Sequence, residues 1–325
     1  MKWIIGFLLC AFFLPIANNA LAVSWTGGKI IFWSYDRDPE SPKMIASPYI
    51  MNADGTGVVK LMEGLIQEGG KTFSVEGTLS LSPDCQKAVF ELTNLSNANS
   101  DIAVLEIDSR RMVNLTSGKV KRCRAPRWSP DGTQIVFSDV SELPRTLYIM
   151  NSDGTNTTMI GDGSSPDWSP DGRRIVFVRN NDIYTTDVDG GNVEKIVAGP
   201  TESVILLRWS PDSKRILFST HRNDGDSRIY IMDSNGDNIR LIRESSWQAC
   251  WSPDGKNIAF VATDDEDDFF HGFHIWLMSP DGGDLERLTN NDRGEAQIDW
   301  RDPVFGVSLL SNAAKTTWGK IRMEK

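Results

Sequence analysis

Apolar residues in this chain come in short runs, divided by clusters of Ser, Pro, Asp, Asn and Gly. Many of the runs are rich in β-branched residues, as in Ile135-Val136-Phe137 and Ile175-Val176-Phe177. Runs of this length bounded by turn signals predict strands. The turn signals are periodic. Ser-Pro-Asp recurs at Ser82, Ser129, Ser169, Ser210 and Ser252, at intervals of 47, 40, 41 and 42 residues. Trp precedes four of them, at Trp128, Trp168, Trp209 and Trp251, and Leu81 precedes the fifth. Eight residues after each of these Ser residues stands a Phe: Phe90, Phe137, Phe177, Phe218 and Phe260.

A second pattern follows each Phe strand. Tyr49-Ile50-Met51-Asn52-Ala53-Asp54-Gly55 returns as Tyr148-Ile149-Met150-Asn151-Ser152-Asp153-Gly154, with further copies at 183–190, 229–236 and 275–282. Asp-Gly or Asn-Gly between two apolar runs is a strong hairpin signal. Each unit of about 42 residues therefore holds four short strands: one carrying Trp, one ending in Phe, and two forming the Asp-Gly hairpin. A four-stranded antiparallel sheet repeated at this period is a propeller blade. A lone blade leaves both faces wet, and stacking against neighbours buries the Trp and Phe side chains.

Five Ser-Pro-Asp units span residues 78 to 289. Before them Lys29-Ile30-Ile31-Phe32 matches the Phe strand and 49–62 matches the hairpin, without a Trp strand. After them Gln297-Ile298-Asp299-Trp300-Arg301-Asp302-Pro303 matches a Trp strand with nothing following. Joining these halves predicts an all-β, six-bladed β-propeller over 23–303, closed by a C-terminal strand that enters the N-terminal blade. Such closure removes open sheet edges. Residues 304–325 form a short C-terminal tail.

The start of the chain reads differently. Lys2, an apolar run from Trp3 to Ile16, and Ala20-Leu21-Ala22 have the layout of a secretory signal peptide. Cleavage is expected after Ala22, with a periplasmic or secreted product. The apolar run is shorter than the ~20 residues of a membrane span, and no later segment is long and apolar enough for one.

Trp-Ser-Pro-Asp-Gly, a strand ending in Phe, Ile-Tyr-Ile-Met-Asn-x-Asp-Gly and a closing Leu-Thr together resemble the propeller repeats of the TolB-like family, relatives of WD-type repeats. The resemblance implies a six-bladed propeller that binds a protein or cell-envelope component. TolB proteins also carry an α/β domain before the propeller. Here the repeats begin next to the expected cleavage site, so that domain is not expected.

Composition narrows the function classes. The formal net charge is −10 and the pI about 4.9, against a general nucleic-acid binder with its basic face. The 30 Asp against 14 Glu is largely turn punctuation, since Asp stands in every Ser-Pro-Asp and in most of the hairpins. Beyond Cys10 in the signal, Cys85, Cys123 and Cys250 fall on different parts of the ring, so no disulfide is expected.

Candidate chemistry is sparse. The chain has no Gly-x-Ser-x-Gly elbow. Its three His residues are His221, His271 and His274; His271 and His274 stand three apart in an expected loop, near acidic residues but no Cys, and a metal centre usually needs three or four convergent ligands. Asp233-Ser234-Asn235-Gly236-Asp237 lacks the Gly and Glu positions of a calcium loop and reads as a hairpin turn. No catalytic residue, metal or cofactor is expected. The alternative is a propeller enzyme, a lyase or metal-dependent lactonase or hydrolase, acting at the central channel.

Strand alternation puts the Ser-Pro-Asp turns and Asp-Gly hairpins on one face. Longer, variable connections lie on the other: 34–48, 63–77, 117–126, 221–228 and 263–274. Variable loops on a rigid scaffold are the usual place for binding. Two of them carry concentrated charge: Lys119, Lys121, Arg122, Arg124 and Arg127 in one, and Asp264, Asp265, Glu266, Asp267 and Asp268 in another. These ten residues are the candidate partner-binding positions. The expected protein is a monomeric, exported, non-catalytic scaffold that holds a protein or envelope partner on its long-loop face.

Overall fold

The structure is a computed structural model. It describes residues 28–37, 44–68, 70–118, 120–200, 202–223, 225–263, 273–291 and 293–303. The expected signal at 1–22 and the tail at 304–325 lie outside the described residues.

Among the described residues, twenty-five strands form six antiparallel sheets. The first blade contains β1 (Lys29–Arg37), β2 (Met44–Asn52) and β3 (Val59–Lys60). The second contains β4 (Leu65–Glu68), β5 (Lys71–Leu81), β6 (Lys87–Asn94), β7 (Ser100–Glu106) and β8 (Met112–Asn114). The third holds β9 (Cys123–Trp128), β10 (Gln134–Asp139), β11 (Thr146–Asn151) and β12 (Thr158–Asp162). The fourth holds β13 (Ser164–Trp168), β14 (Arg174–Arg179), β15 (Asp182–Asp187) and β16 (Glu194–Val197). The fifth holds β17 (Ser203–Trp209), β18 (Arg215–His221), β19 (Ser227–Asp233) and β20 (Arg240–Glu244). The sixth holds β21 (Ser246–Trp251), β22 (Ile258–Thr263), β23 (Phe273–Met278) and β24 (Glu286–Arg287).

The last strand, β25 (Gly294–Arg301), does not extend the sixth blade. It pairs with β1, with Trp300 opposite Ile30 and Asp299 opposite Ile31, and so completes the first blade. The all-β, six-bladed ring and its closure by a C-terminal strand are as the repeat spacing predicts.

Six apolar clusters hold the ring together, one at each junction of neighbouring blades. Trp33 with Leu79 and Phe90 joins the first blade to the second. Trp128 and Phe137 pack with Val89 and Ile102; Trp168 and Phe177 pack with Val136 and Leu147. Trp209 and Phe218 meet Val176 and Ile183, and Trp251 and Phe260 meet Leu217 and Ile231. Trp300 and Phe32 close the circle against Ala259 and Ile275. The repeated Trp and Phe are thus contacts between blades, as expected for units that cannot bury both faces alone. Within blades, the Phe also stacks on the facing Tyr, as in Phe218–Tyr230, with ring centroids 5.0 Å apart.

The Ser-Pro-Asp turns share one hydrogen-bond scheme. In the third blade the Ser129 hydroxyl donates to Asp131 at 2.6 Å and accepts from the Gln134 amide at 2.9 Å. Asp131 accepts from the Thr133 amide at 3.0 Å. Gly132 closes the turn by donating to the Ser129 carbonyl, with φ of 72°. Ser169 and Ser252 repeat these contacts around Gly172 and Gly255. Only a residue able to adopt left-handed backbone fits the fourth position without strain.

One feature is not legible in the repeat. Residues 63–77, expected as a connection, instead form β4 and the first half of a long β5, a hairpin added to the second blade. The hairpin lies before Ser82, so the 47-residue interval from Ser82 to Ser129 owes nothing to it and comes mainly from the longer connection between β8 and β9.

Candidate functional site

Two regions stand out: the central channel and a groove on the long-loop face. The channel is lined by the innermost strands β5, β9, β13, β17, β21 and β25. Because side chains alternate along a strand, the residue before each Trp-position residue points inward. These are Ser80, Arg127, Asp167, Arg208, Cys250 and Asp299. All six are buried.

Asp299 ties the two ends of the ring. Its Oδ2 accepts from the Leu81 amide at 2.9 Å and the Ser80 hydroxyl at 3.0 Å, and its Oδ1 faces Arg127 Nη1 at 3.4 Å. Asp167 repeats the first contact, accepting from the Trp209 amide at 2.9 Å. Burial is the main influence on Asp167 and pushes its carboxyl up to about 6. Burial likewise lowers the pKa of Arg127. On the Ser-Pro-Asp side, Asp167, Asp299, Asp302, Arg208 and Arg301 border a cavity of about 120 Å³, rimmed by Trp and Pro side chains.

The groove lies over the third, fourth and fifth blades. Leu143, Arg145, Asp162, Arg179, Asn181 and Ile205 border a volume of about 780 Å³. Leu143 is 86% exposed, the highest value among the large apolar side chains described. Arg179 lies over the rings of Phe177 and Tyr184 at 5.2 Å from each centroid, a cation–π contact that holds it at the groove edge.

The structure divides the sequence-predicted basic group. Lys121 and Arg122 are exposed on the long-loop face. They adjoin the β10–β11 connection: the Val140 amide donates to the Arg122 carbonyl, and Lys121 Nζ lies 3.8 Å from Glu142. Arg124 instead pairs at 2.5 Å with Glu91, a buried carboxylate that also accepts from the Ala125 and Thr78 amides. Burial raises Glu91, and Arg124 opposes that rise. Arg127 lies in the channel. Of the five basic positions, Arg127 is thus buried and Arg124 is half-buried in its pairing with Glu91. Lys119, and all of Asp264, Asp265, Glu266, Asp267 and Asp268, lie outside the described residues.

Leu143, Arg145 and Arg179 were not among the candidate positions, and of the channel ring only Arg127 was, as a surface charge. The ring had a signal, the position before each Trp, but those residues vary in type and carry no motif.

Cys85, Cys123 and Cys250 are buried free thiols. Burial pushes the Cys85 and Cys123 thiols up to about 12, so neither is poised as a nucleophile. His221 accepts or donates at Ser227 and lies beside Trp247, while His274 lies near Glu295. His271 is outside the described residues. Among the described residues no group of three or more His, Cys, Asp or Glu converges as metal ligands. No helix among them is long and apolar enough to cross a membrane.

Comparison with known proteins agrees with this architecture. The Tol-Pal system protein TolB of Anaeromyxobacter dehalogenans is 29% identical over 123 residues, 37% of this chain and 26% of that protein. An uncharacterized protein of Agrobacterium fabrum is 30% identical over 185 residues, 52% of this chain and 62% of its own length. The chain therefore matches less than two thirds of either relative. The crystal structure of TolB from Acinetobacter baumannii superposes with a TM-score of 0.67 at 18% identity, covering 84% of this chain and 66% of that one. The TolB beta propeller domain signature matches residues 50–204 and 158–298, and the chain belongs to that family.

Proposed function

We propose that the protein is an exported, non-catalytic scaffold that binds a protein partner of the cell envelope on its long-loop face. The carrying observation is the contiguity of Lys121, Arg122, exposed Leu143 and the Arg145–Arg179 groove. An apolar side chain projecting beside a groove bordered by Arg145, Arg179 and Asp162 is a binding arrangement: the apolar group supplies area and the charges supply selection. Family membership supports the reading, since one relative is named for the Tol-Pal system. Export rests on the sequence of residues 1–22. The fitting partner presents an apolar pocket or ridge flanked by carboxylates.

The test is affinity capture from envelope extract with the wild-type chain and with Leu143→Asp. Leu143 is almost fully exposed, so this change leaves folding intact. A partner retained by wild type and lost by more than tenfold with Leu143→Asp is expected. Equal recovery of every partner by both chains would overturn the proposed face.

A further inference from the structure

The charged ring divides the channel into two compartments of different character. The compartment on the Ser-Pro-Asp side contains carboxylates. The one on the long-loop side has a volume of about 60 Å³ and contains none. Its polar walls are Arg127, Arg208, Thr78, Ser165, Gln248 and Gln297, each from a different inner strand. Six blades thus converge guanidinium, amide and hydroxyl groups on one small space.

Both arginines border it and carry donors that have no partner among the described residues. Arg127 is 1% exposed. Its Nη1 serves the Leu79 carbonyl at 3.2 Å and Asp299 at 3.4 Å, while Nε and Nη2 have no hydrogen-bond partner among the described residues. Arg208 is 8% exposed. Its Nη1 donates to the Leu207 carbonyl at 2.7 Å, and its Nε has no partner among the described residues. Buried donors left unmatched are strongly unfavourable, and more so when the group is charged. The nearest carboxylates offset the charge but leave those donors unmatched, since Asp299 reaches Arg127 through Nη1 alone. Asp299 is shared among Leu81, Ser80 and Arg127, and Asp167 is engaged by the Trp209 amide.

We propose that this compartment is a binding site for one small monovalent anion of halide size, held between Arg127 and Arg208. The anion would accept from the free guanidinium N–H groups and from the Gln248 and Gln297 amides. The space suits such an occupant. A single water needs roughly 10–15 Å³ of this kind of volume, so 60 Å³ takes a halide with a water or two but not a large organic anion. The site would couple anion binding to the ring itself, because Arg127 is joined through Asp299 to the closing strand β25.

The experiment uses the full mature chain. Thermal unfolding is followed in sodium chloride, bromide and gluconate at equal ionic strength, so that general screening is common to all three. Crystals grown in sodium bromide are examined for anomalous scattering. The expected result is an anomalous peak between the two guanidinium groups. The midpoint should be higher in chloride and bromide than in gluconate, rising by about 2 °C per tenfold increase in halide above the dissociation constant. Gln248→Glu, which brings a carboxylate into the compartment, should abolish the halide-specific rise, whereas Gln248→Ala should weaken it. Identical midpoints in halide and gluconate for the wild-type chain, with water density and no anomalous peak, would overturn the proposal. That readout stands even if Gln248→Glu fails to fold.

Discussion

Ser213 occupies the fourth position of its turn, which Gly132, Gly172 and Gly255 fill in three of the others. Its φ is 61°, and left-handed backbone disfavours a side chain by about 1–2 kcal/mol. Replacing Ser213 by Gly relieves that strain while adding freedom to the unfolded chain. We expect Ser213→Gly to stabilise the protein by about 0.5–1 kcal/mol in denaturant titration. Cys85, at φ 56°, shares the strain, but its side chain is packed in the core, so Cys85→Gly should not bring the same gain. Glu295 makes a second residue-scale case. It is buried on β25, accepts from Thr289 at 2.7 Å and from Asn291, and lies 3.5 Å from His274 Nδ1, with Arg287 as the nearby cation. Burial pushes its carboxyl up to about 7. The folded state then holds a proton that the unfolded state releases near the ordinary Glu value of about 4.3. Stability is therefore full below that value and falls as pH rises to about 7, by an amount on the order of 3–4 kcal/mol. Glu295→Gln should flatten this part of the pH profile. An unchanged slope would show that Glu295 does not carry it.

At the scale of elements, the closing strand is the decisive piece. Trp300 on β25 packs with Phe32, Ile275 and Ile298, and Asp299 binds the Leu81 amide across the join. Trp300→Ala should destabilise by about 3–5 kcal/mol, about as much as Trp209→Ala inside the ring. A Trp300→Ala midpoint equal to wild type would mean that β25 is not part of the core. Asp299→Ala should cost a similar ~3–5 kcal/mol, because it leaves Arg127 buried without its carboxylate. The strands themselves were legible because Phe stands eight residues after every Ser-Pro-Asp serine and an Asp-Gly or Asn-Gly turn closes most of the apolar runs that follow, and β25 was legible because Ile298-Asp299-Trp300 repeats the Trp strand. The β4–β5 hairpin was not. It occurs once, so no period reveals it, and the alternation in Thr72-Phe73-Ser74 is too short to separate a strand from a loop. The destination of Arg124 and Arg127 was hidden for a related reason. A local run of basic residues reads as surface charge. Their partners, Glu91 and Asp299, lie far away in sequence.

At the scale of the whole molecule, the two faces differ in kind. The Ser-Pro-Asp face is built from turns of one design, whose side chains are spent on one another, as Ser169 and Asp171 are. The long-loop face carries the irregular connections, the groove and exposed Leu143. A rigid ring with one standardised face and one variable face suits a binding scaffold. Site-specific photo-crosslinking in intact cells separates the faces most directly, with the reactive group placed at position 143 or at the exposed position 171. A discrete protein adduct from 143 and none from 171 is the expected result. Adducts from 171 alone, or none from 143 in cells that express the chain in its native envelope, would contradict it.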